Sequence, residues 1–586
     1  MTRTHPGPDL IRGAIALSAL ALWLVGCHTT VPATTAARQP PAQETTPATA
    51  ALEEVVVTDS SRQLSPPPPA KVAERSRSAA DSMGLVSVTG ANYYLAAPAM
   101  SRAPDADRER YAGIQDNGVV AAAEQPFSTF SIDVDTGSYS NVRRLLNAGR
   151  MPPPDAVRVE ELVNYFPYAY AEPATREGKR LPFGLTTEVA ATPWNPDTLL
   201  LRVGIKAFDL PRAKLPAANL VFLVDVSGSM DEPDKLPLLK NALKLLVGQL
   251  RAEDRISLVT YADGTRIVLR PTPGSEKAQI RQAIDELVAG GSTAGAAGIQ
   301  LAYQMAQQGY MRDGINRILL ATDGDFNVGI TDFAQLKGMV AEKRKSGVSL
   351  STLGFGSGNY NDEMMEQVAD AGDGNYAYID SLSEAQKVLV DEAASTLSIV
   401  ARDVKIQLEF NPGVVAEYRL LGYENRKLAR EDFRNDKVDA GEIGAGHTVT
   451  ALYEVSLVGH QGLLGASRYA TAHPPIDGGA HAGELAMLRL RYKQPDGTTA
   501  SEIAAPISRD AQAAGDDLRF AAAVAAFGQE LRGGKYLGRF GYREIEALAV
   551  GARGEDRYGY RGEFLQLLKL ASSLATNAGP PVAAAD

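Results

Sequence analysis

Short apolar runs alternate with helical periodicity from about residue 218 to residue 397, and that alternation sets the expectation for the middle of the chain. Residues 220–224, Leu-Val-Phe-Leu-Val, form an uninterrupted apolar run of the kind a strand buried on both faces requires. Leu236, Leu239, Leu243, Leu246 and Leu250 then recur at three and four residues, which lays one apolar stripe along a helix. Asp234 is its expected N-cap, and Pro237 falls in the first turn, where a missing N–H does no harm. Further strands are expected at 256–260, 267–269, 318–321, 349–355 and 376–379, with helices at 276–288, 296–308, 333–345 and 363–369. Strand and helix in alternation predict an open, mostly parallel α/β sheet.

The pattern changes on both sides of this region. An alternating strand and turn is expected over 127–138, a helix over 142–148, and strands at 185–190 and 199–205; beyond residue 400, strands are expected at 404–410, 447–457 and 486–492. Helical periodicity returns at 518–531, 542–549 and 562–574. Strands before and after the α/β region predict a β-rich domain, a sandwich built from both flanks that carries the α/β unit as an insertion. The expected division is 1–27 signal peptide, 28–125 tether, 126–217 N-terminal flank, 218–398 α/β domain and 399–586 C-terminal region, β-rich and then helical.

Composition narrows the chemistry. A formal charge of −11 and the absence of a basic block argue against a nucleic-acid surface. Cys27 is the sole cysteine, so no disulfide can form within the chain and its folded body holds no thiol nucleophile. The six histidines are scattered, and His473 and His481 are too far apart for a zinc pair. Arg3 and Arg12 precede an apolar stretch over 14–25, which is the length of a signal-peptide core and too short for a spanning helix. It ends in Leu24-Val25-Gly26-Cys27, which resembles the lipobox of bacterial lipoproteins. That resemblance implies cleavage before Cys27, acylation of this residue and stable anchoring by more than one chain. His28, where an inner-membrane protein would carry Asp, points to the outer membrane. The Pro-, Ala-, Thr- and Ser-rich stretch that follows has few apolar residues to bury and is expected to be a disordered tether.

The candidate site lies at strand ends. Asp225-Val226-Ser227-Gly228-Ser229 puts a carboxylate and two hydroxyls on the loop after one buried strand; Thr293 stands in the glycine-rich turn 290–295, and Asp323 ends a second buried strand. Mg²⁺ takes about six oxygens, often one or two carboxylates with water filling the rest. Read on its own, the first loop is also a good capped turn. Together the five residues resemble the metal-ion-dependent adhesion site of von Willebrand factor type A domains. The resemblance implies a doubly wound, Rossmann-like sheet, Mg²⁺ or Mn²⁺ held by Asp225, Ser227, Ser229, Thr293 and Asp323, and a carboxylate from a protein partner completing the shell. Residues 132–136 and 163–168, with 535–538 and 552–556 near the end, look like bacterial YfbK-type lipoproteins that carry this domain.

Two other motifs compete. Asp135-Thr136-Gly137-Ser138 matches the catalytic turn of aspartic proteases, but a single chain needs a second copy and has none. Gly354-Phe355-Gly356-Ser357-Gly358 follows a late strand and lacks dinucleotide-loop spacing, which leaves it a turn. With no nucleophile or general base beside the five oxygens, the expected function is non-enzymatic: a lipid-anchored envelope protein that captures an Asp or Glu of a protein partner through Mg²⁺. An assembly or chaperone role for an envelope or ATPase complex is the alternative, and proteolysis through Asp135 a remote one.

Overall fold

A computed structural model describes residues 109–577 apart from 133–134, 177, 293–294, 325–332, 359, 465–480 and 496. Cys27 and the 28–108 part of the tether lie outside the described residues.

The apolar run becomes β1 (Ala218–Asp225), buried along its whole length. Five strands join it: β2 (Arg255–Tyr261), β3 (Thr265–Pro273), β4 (Ile315–Thr322), β5 (Ser349–Gly354) and β6 (Tyr376–Tyr378). Their order across the sheet is β3-β2-β1-β4-β5-β6, all parallel except the antiparallel β2–β3 pair. Strand order therefore reverses between β1 and β4, and that switch point opens a crevice outside their carboxyl ends.

The two faces of β1 explain why no polar residue interrupts it. Leu220, Phe222 and Val224 pack against Leu239, Leu243 and Leu246 of α1 (Leu236–Gln249), together with α2 (Lys277–Asp285). Val221 and Leu223 face α3 (Gly295–Gln308), α4 (Phe333–Lys343) and α5 (Asp362–Ala371), through Ile299, Ala302, Leu336, Val340 and Val368. Each such buried side chain contributes about 1.5–3 kcal/mol.

The flanks do form a sandwich shared between them. One sheet runs Val120–Ala121, Val415–Leu421, Thr448–Leu457, Asn195–Ala207, Phe183–Thr192; in the other, Ile399–Phe410 pairs with Phe127–Ser131 from the N-terminal side and Glu484–Lys493 from the C-terminal side. Leu201, Val203, Ile406, Leu408, Val449 and Leu488 fill the space between them. The helices Asp516–Leu531, Tyr542–Gly551 and Tyr560–Asn577 pack with Gly137–Asn147 and Val159–Asn164 into a further core.

Three expectations fail locally. The end of the stretch expected as a disordered tether, residues 109–125, is ordered: Val120–Ala121 pairs with Val415–Leu421, and Asn117 and Ala122 are buried. The helix expected from residue 142 begins at Gly137, so the Asp-Thr-Gly-Ser stretch is a helix N-terminus and not a free turn. Its first turn is capped from a neighbouring helix, where Glu161 Oε2 accepts the Ser138 N–H at 2.8 Å. Asp234 does not cap α1. Lys235 occupies the N-cap position, and the Asp234 carboxylate accepts from Ser357 Oγ at 3.3 Å.

Candidate metal centre

Asp225 ends β1, and its carboxylate is closed off from solvent. Its Oδ1 accepts the Ser227 N–H at 2.9 Å, while Oδ2 accepts from Thr322 Oγ1 at 2.9 Å. Thr322, the last residue of β4, in turn accepts the Gly324 N–H at 3.1 Å, so one hydroxyl couples both strand ends. Ser227 Oγ lies 3.1 Å from Ser229 Oγ. Asp323 is fully buried on the adjacent strand end, where Oδ2 accepts from Lys235 Nζ at 3.0 Å.

Backbone bonds bring in the third loop. Val226 N–H donates to Tyr261 O at 3.0 Å, Gly290 N–H to Val226 O at 2.8 Å, and Gly228 N–H to Gly291 O at 2.9 Å. Gly291 takes a φ of +86°, and a Cβ there would meet the Asp263 carboxylate, which accepts both the N–H and the hydroxyl of Ser292 at 2.6 Å. The segment leading to Thr293 is thus tied to the Asp225 loop, although Thr293 itself lies outside the described residues. Asp225, Ser227, Ser229 and Asp323 are brought together.

Burial pushes the Asp225 carboxyl up to about 6, with the Asp323 charge adding to it, against hydrogen bonds from Ser227 and Thr322 that favour the ionised form. The same surroundings hold the Tyr261 hydroxyl well above its ordinary range, through burial first and then the Asp225 charge. An excess of buried negative charge is what a cation relieves. Among the described residues no cluster of three or more His, Cys, Asp or Glu could hold a metal, so an ion here needs the serine hydroxyls as well as the carboxylates. The donor set fits a hard dication.

Residues 219–392 match the family model described as von Willebrand factor type A domain, residues 105–202 one described as von Willebrand factor, and residues 395–574 one described as uncharacterized protein YfbK, C-terminal. The uncharacterized protein YfbK of Escherichia coli (strain K12) is 51% identical over 468 residues, 79% of this chain and 81% of that one. The chain belongs to the YfbK family of von Willebrand factor type A proteins. The magnesium-chelatase 60 kDa subunit of Rhodobacter capsulatus is 34% identical over 135 residues, 22% of this chain and 24% of that one. A solved structure, von Willebrand factor type A from Catenulispora acidiphila, aligns at 15% identity and a TM-score of 0.37, covering 68% of this chain and 91% of that one.

Within this YfbK-family fold, sequence reasoning missed Thr322 and Lys235. Thr322 carries a signal, since it precedes Asp323 at a buried strand end where a hydroxyl has no solvent to bond. Lys235 carries none. Asp135 is buried, accepts the Tyr376 N–H at 3.0 Å and lies 3.4 Å from Arg426, so its carboxylate pins the N-terminal flank to β6 and to the sandwich.

Proposed function

We propose that this protein binds a protein partner in the cell envelope through a divalent cation at the β1–β4 switch point, with Asp225, Ser227, Ser229 and Asp323 as holding residues and Thr293 from the adjoining loop. The observation that carries the reading is the pair of buried carboxylates on adjacent central strands, with paired hydroxyls beside them and a raised Asp225 pKa. The cation, Mg²⁺ or Mn²⁺, would supply the positive charge to which a partner's Asp or Glu attaches. Asp225 is held in place by Ser227 N–H and Thr322 at the end of β1. The Asp135 carboxylate, already engaged by Tyr376 and Arg426, gives no support to proteolysis.

Anchoring is proposed through Cys27, on the outer membrane, facing the periplasm or the surface. Among the described residues no helix is long and apolar enough to cross a membrane. A second reading is assembly or chaperone work on an envelope or ATPase complex, for which the partial likeness to a magnesium-chelatase subunit is the one supporting comparison.

A melting experiment tests the cation. Ligands that bind only the folded state stabilise it by about 2.7 kcal/mol at 100 times Kd. Mg²⁺ or Mn²⁺ is expected to raise Tm with the logarithm of concentration, and Asp323→Ala to abolish that rise and EDTA-sensitive capture of partner from membranes. A wild-type Tm indifferent to Mg²⁺, Mn²⁺ and EDTA refutes the proposal.

A further inference from the structure

Lys235 brings positive charge to a site whose other groups are chosen to attract cations. Its ammonium sits 3.0 Å from Asp323 Oδ2, with the two side chains 7% and 0% exposed. Three elements combine to place it there. The lysine itself begins α1, Asp323 follows β4, and the loop after β5 provides a channel for the aliphatic stem. Gly356 in that loop has a φ of +77°, and a Cβ on it would collide with the Cγ, Cδ and Cε of Lys235. Tyr378 fixes the loop by donating to Gly356 O at 2.6 Å.

A buried ammonium beside a dication weakens the binding of that dication, because like charges at short range repel strongly at the effective dielectric of about 20 found in proteins. Its effect on the loaded site is the opposite. Asp225 and Asp323 alone would neutralise a dication and leave little attraction for a further anion. With Lys235 present, the same carboxylates and the same ion keep a net positive charge. We propose that Lys235 is a specificity-determining residue, lowering affinity for the bare cation while making the loaded site select a carboxylate over a neutral oxygen ligand. The inference rests on the cation reading given above and adds the source of its preference for anions.

Mn²⁺ titration of the mature chain, followed by electron paramagnetic resonance at constant ionic strength with chloride exchanged for acetate, tests it. Lys235→Met keeps the stem and removes the charge; Lys235→Arg keeps the charge. Lys235→Met is expected to bind Mn²⁺ on the order of tenfold or more tightly. In wild type and Lys235→Arg, acetate should tighten Mn²⁺ binding, as reciprocal coupling requires, and this enhancement should fall severalfold in Lys235→Met. Gly356→Ala, which displaces the stem, should move both quantities in the same direction and serves if Lys235→Met melts early in EDTA. Wild-type Mn²⁺ affinity and acetate enhancement in both variants would overturn the role of Lys235 while sparing the cation site. A wild type that binds neither Mn²⁺ nor Mg²⁺ would overturn the cation reading, and this inference with it.

Discussion

Asp225→Asn should stabilise the metal-free protein at neutral pH, although it removes a residue from the site. The Asp225 carboxyl is pushed from 3.8 up to about 6, first by burial and further by Asp323. At 1.36 kcal/mol per unit, a rise of about two units corresponds to about 3 kcal/mol. Because the folded pKa lies above the unfolded one, the stability this group contributes is fully present below about pH 4 and is lost as pH rises through about 6. Above that, the folded state carries the full penalty of an ionised buried acid. Asparagine cannot ionise, and its carbonyl oxygen can still accept the Ser227 N–H that Oδ1 accepts at 2.9 Å.

In EDTA at about pH 7.5 the variant is therefore expected to exceed wild type by about 1–3 kcal/mol, and at about pH 4.5 by under about 1 kcal/mol. Glu366 and Glu442, which burial raises to about 7 and about 8, titrate in both proteins and largely cancel in the difference. Urea unfolding with linear extrapolation gives the four stabilities needed. Mg²⁺ should reverse the ranking by stabilising wild type alone, and only above about pH 6, where the proton no longer competes for the carboxylate. A difference that is constant between the two pH values, or that favours wild type in EDTA at about pH 7.5, refutes the reasoning.

Arg143→Met should destabilise the chain by about 3–5 kcal/mol in urea unfolding, because it leaves buried carboxylates without their cation. Arg143 reaches Asp380 at 2.5 Å, Glu384 at 2.7 Å and Glu563 at 3.0 Å, joining the N-terminal helix, the α/β unit and the last helix; a loss under about 1 kcal/mol would show that the seam is held by packing alone. Cys27→Ser should abolish incorporation of labelled fatty acid and leave the precursor uncleaved by lipoprotein peptidase. Unchanged labelling of that variant removes the proposed anchor.

Much of the fold was legible because its signals are local. The apolar run of β1 and the leucine stripe of α1 each announce an element within one window, and their alternation announces a mostly parallel sheet; the doubly wound order was implied by the family resemblance alone. Of the long strands, two escaped. Val415–Leu421 is broken by Glu417 and Arg419, and Arg419 is accommodated there by Glu454 on the paired strand at 2.8 Å and by Gln529 at 2.9 Å. Ala500–Ser508 is a largely exposed edge strand with Pro506 in it, so it carries no apolar alternation to read. The start of the 137–147 helix escaped because its cap, Glu161, comes from another helix.

The candidate site divides along the same line. Asp225, Ser227 and Ser229 could be placed together because one strand and one loop hold them, and Asp323 because the paired strand ends beside it. Lys235 could not, since the cap rules favour Asp234 and the space that admits the lysine is made by Gly356, far away in the chain. A motif therefore reports which oxygen-bearing side chains share a strand end and leaves out the ammonium beside them. Read from sequence, the site holds two negative charges; in the fold, one of them already faces an ammonium. In the proposed cation site, affinity for the ion and preference for a carboxylate would both depend on that sum, so the test of selectivity falls on Lys235 and Gly356 and not on the residues that name the domain.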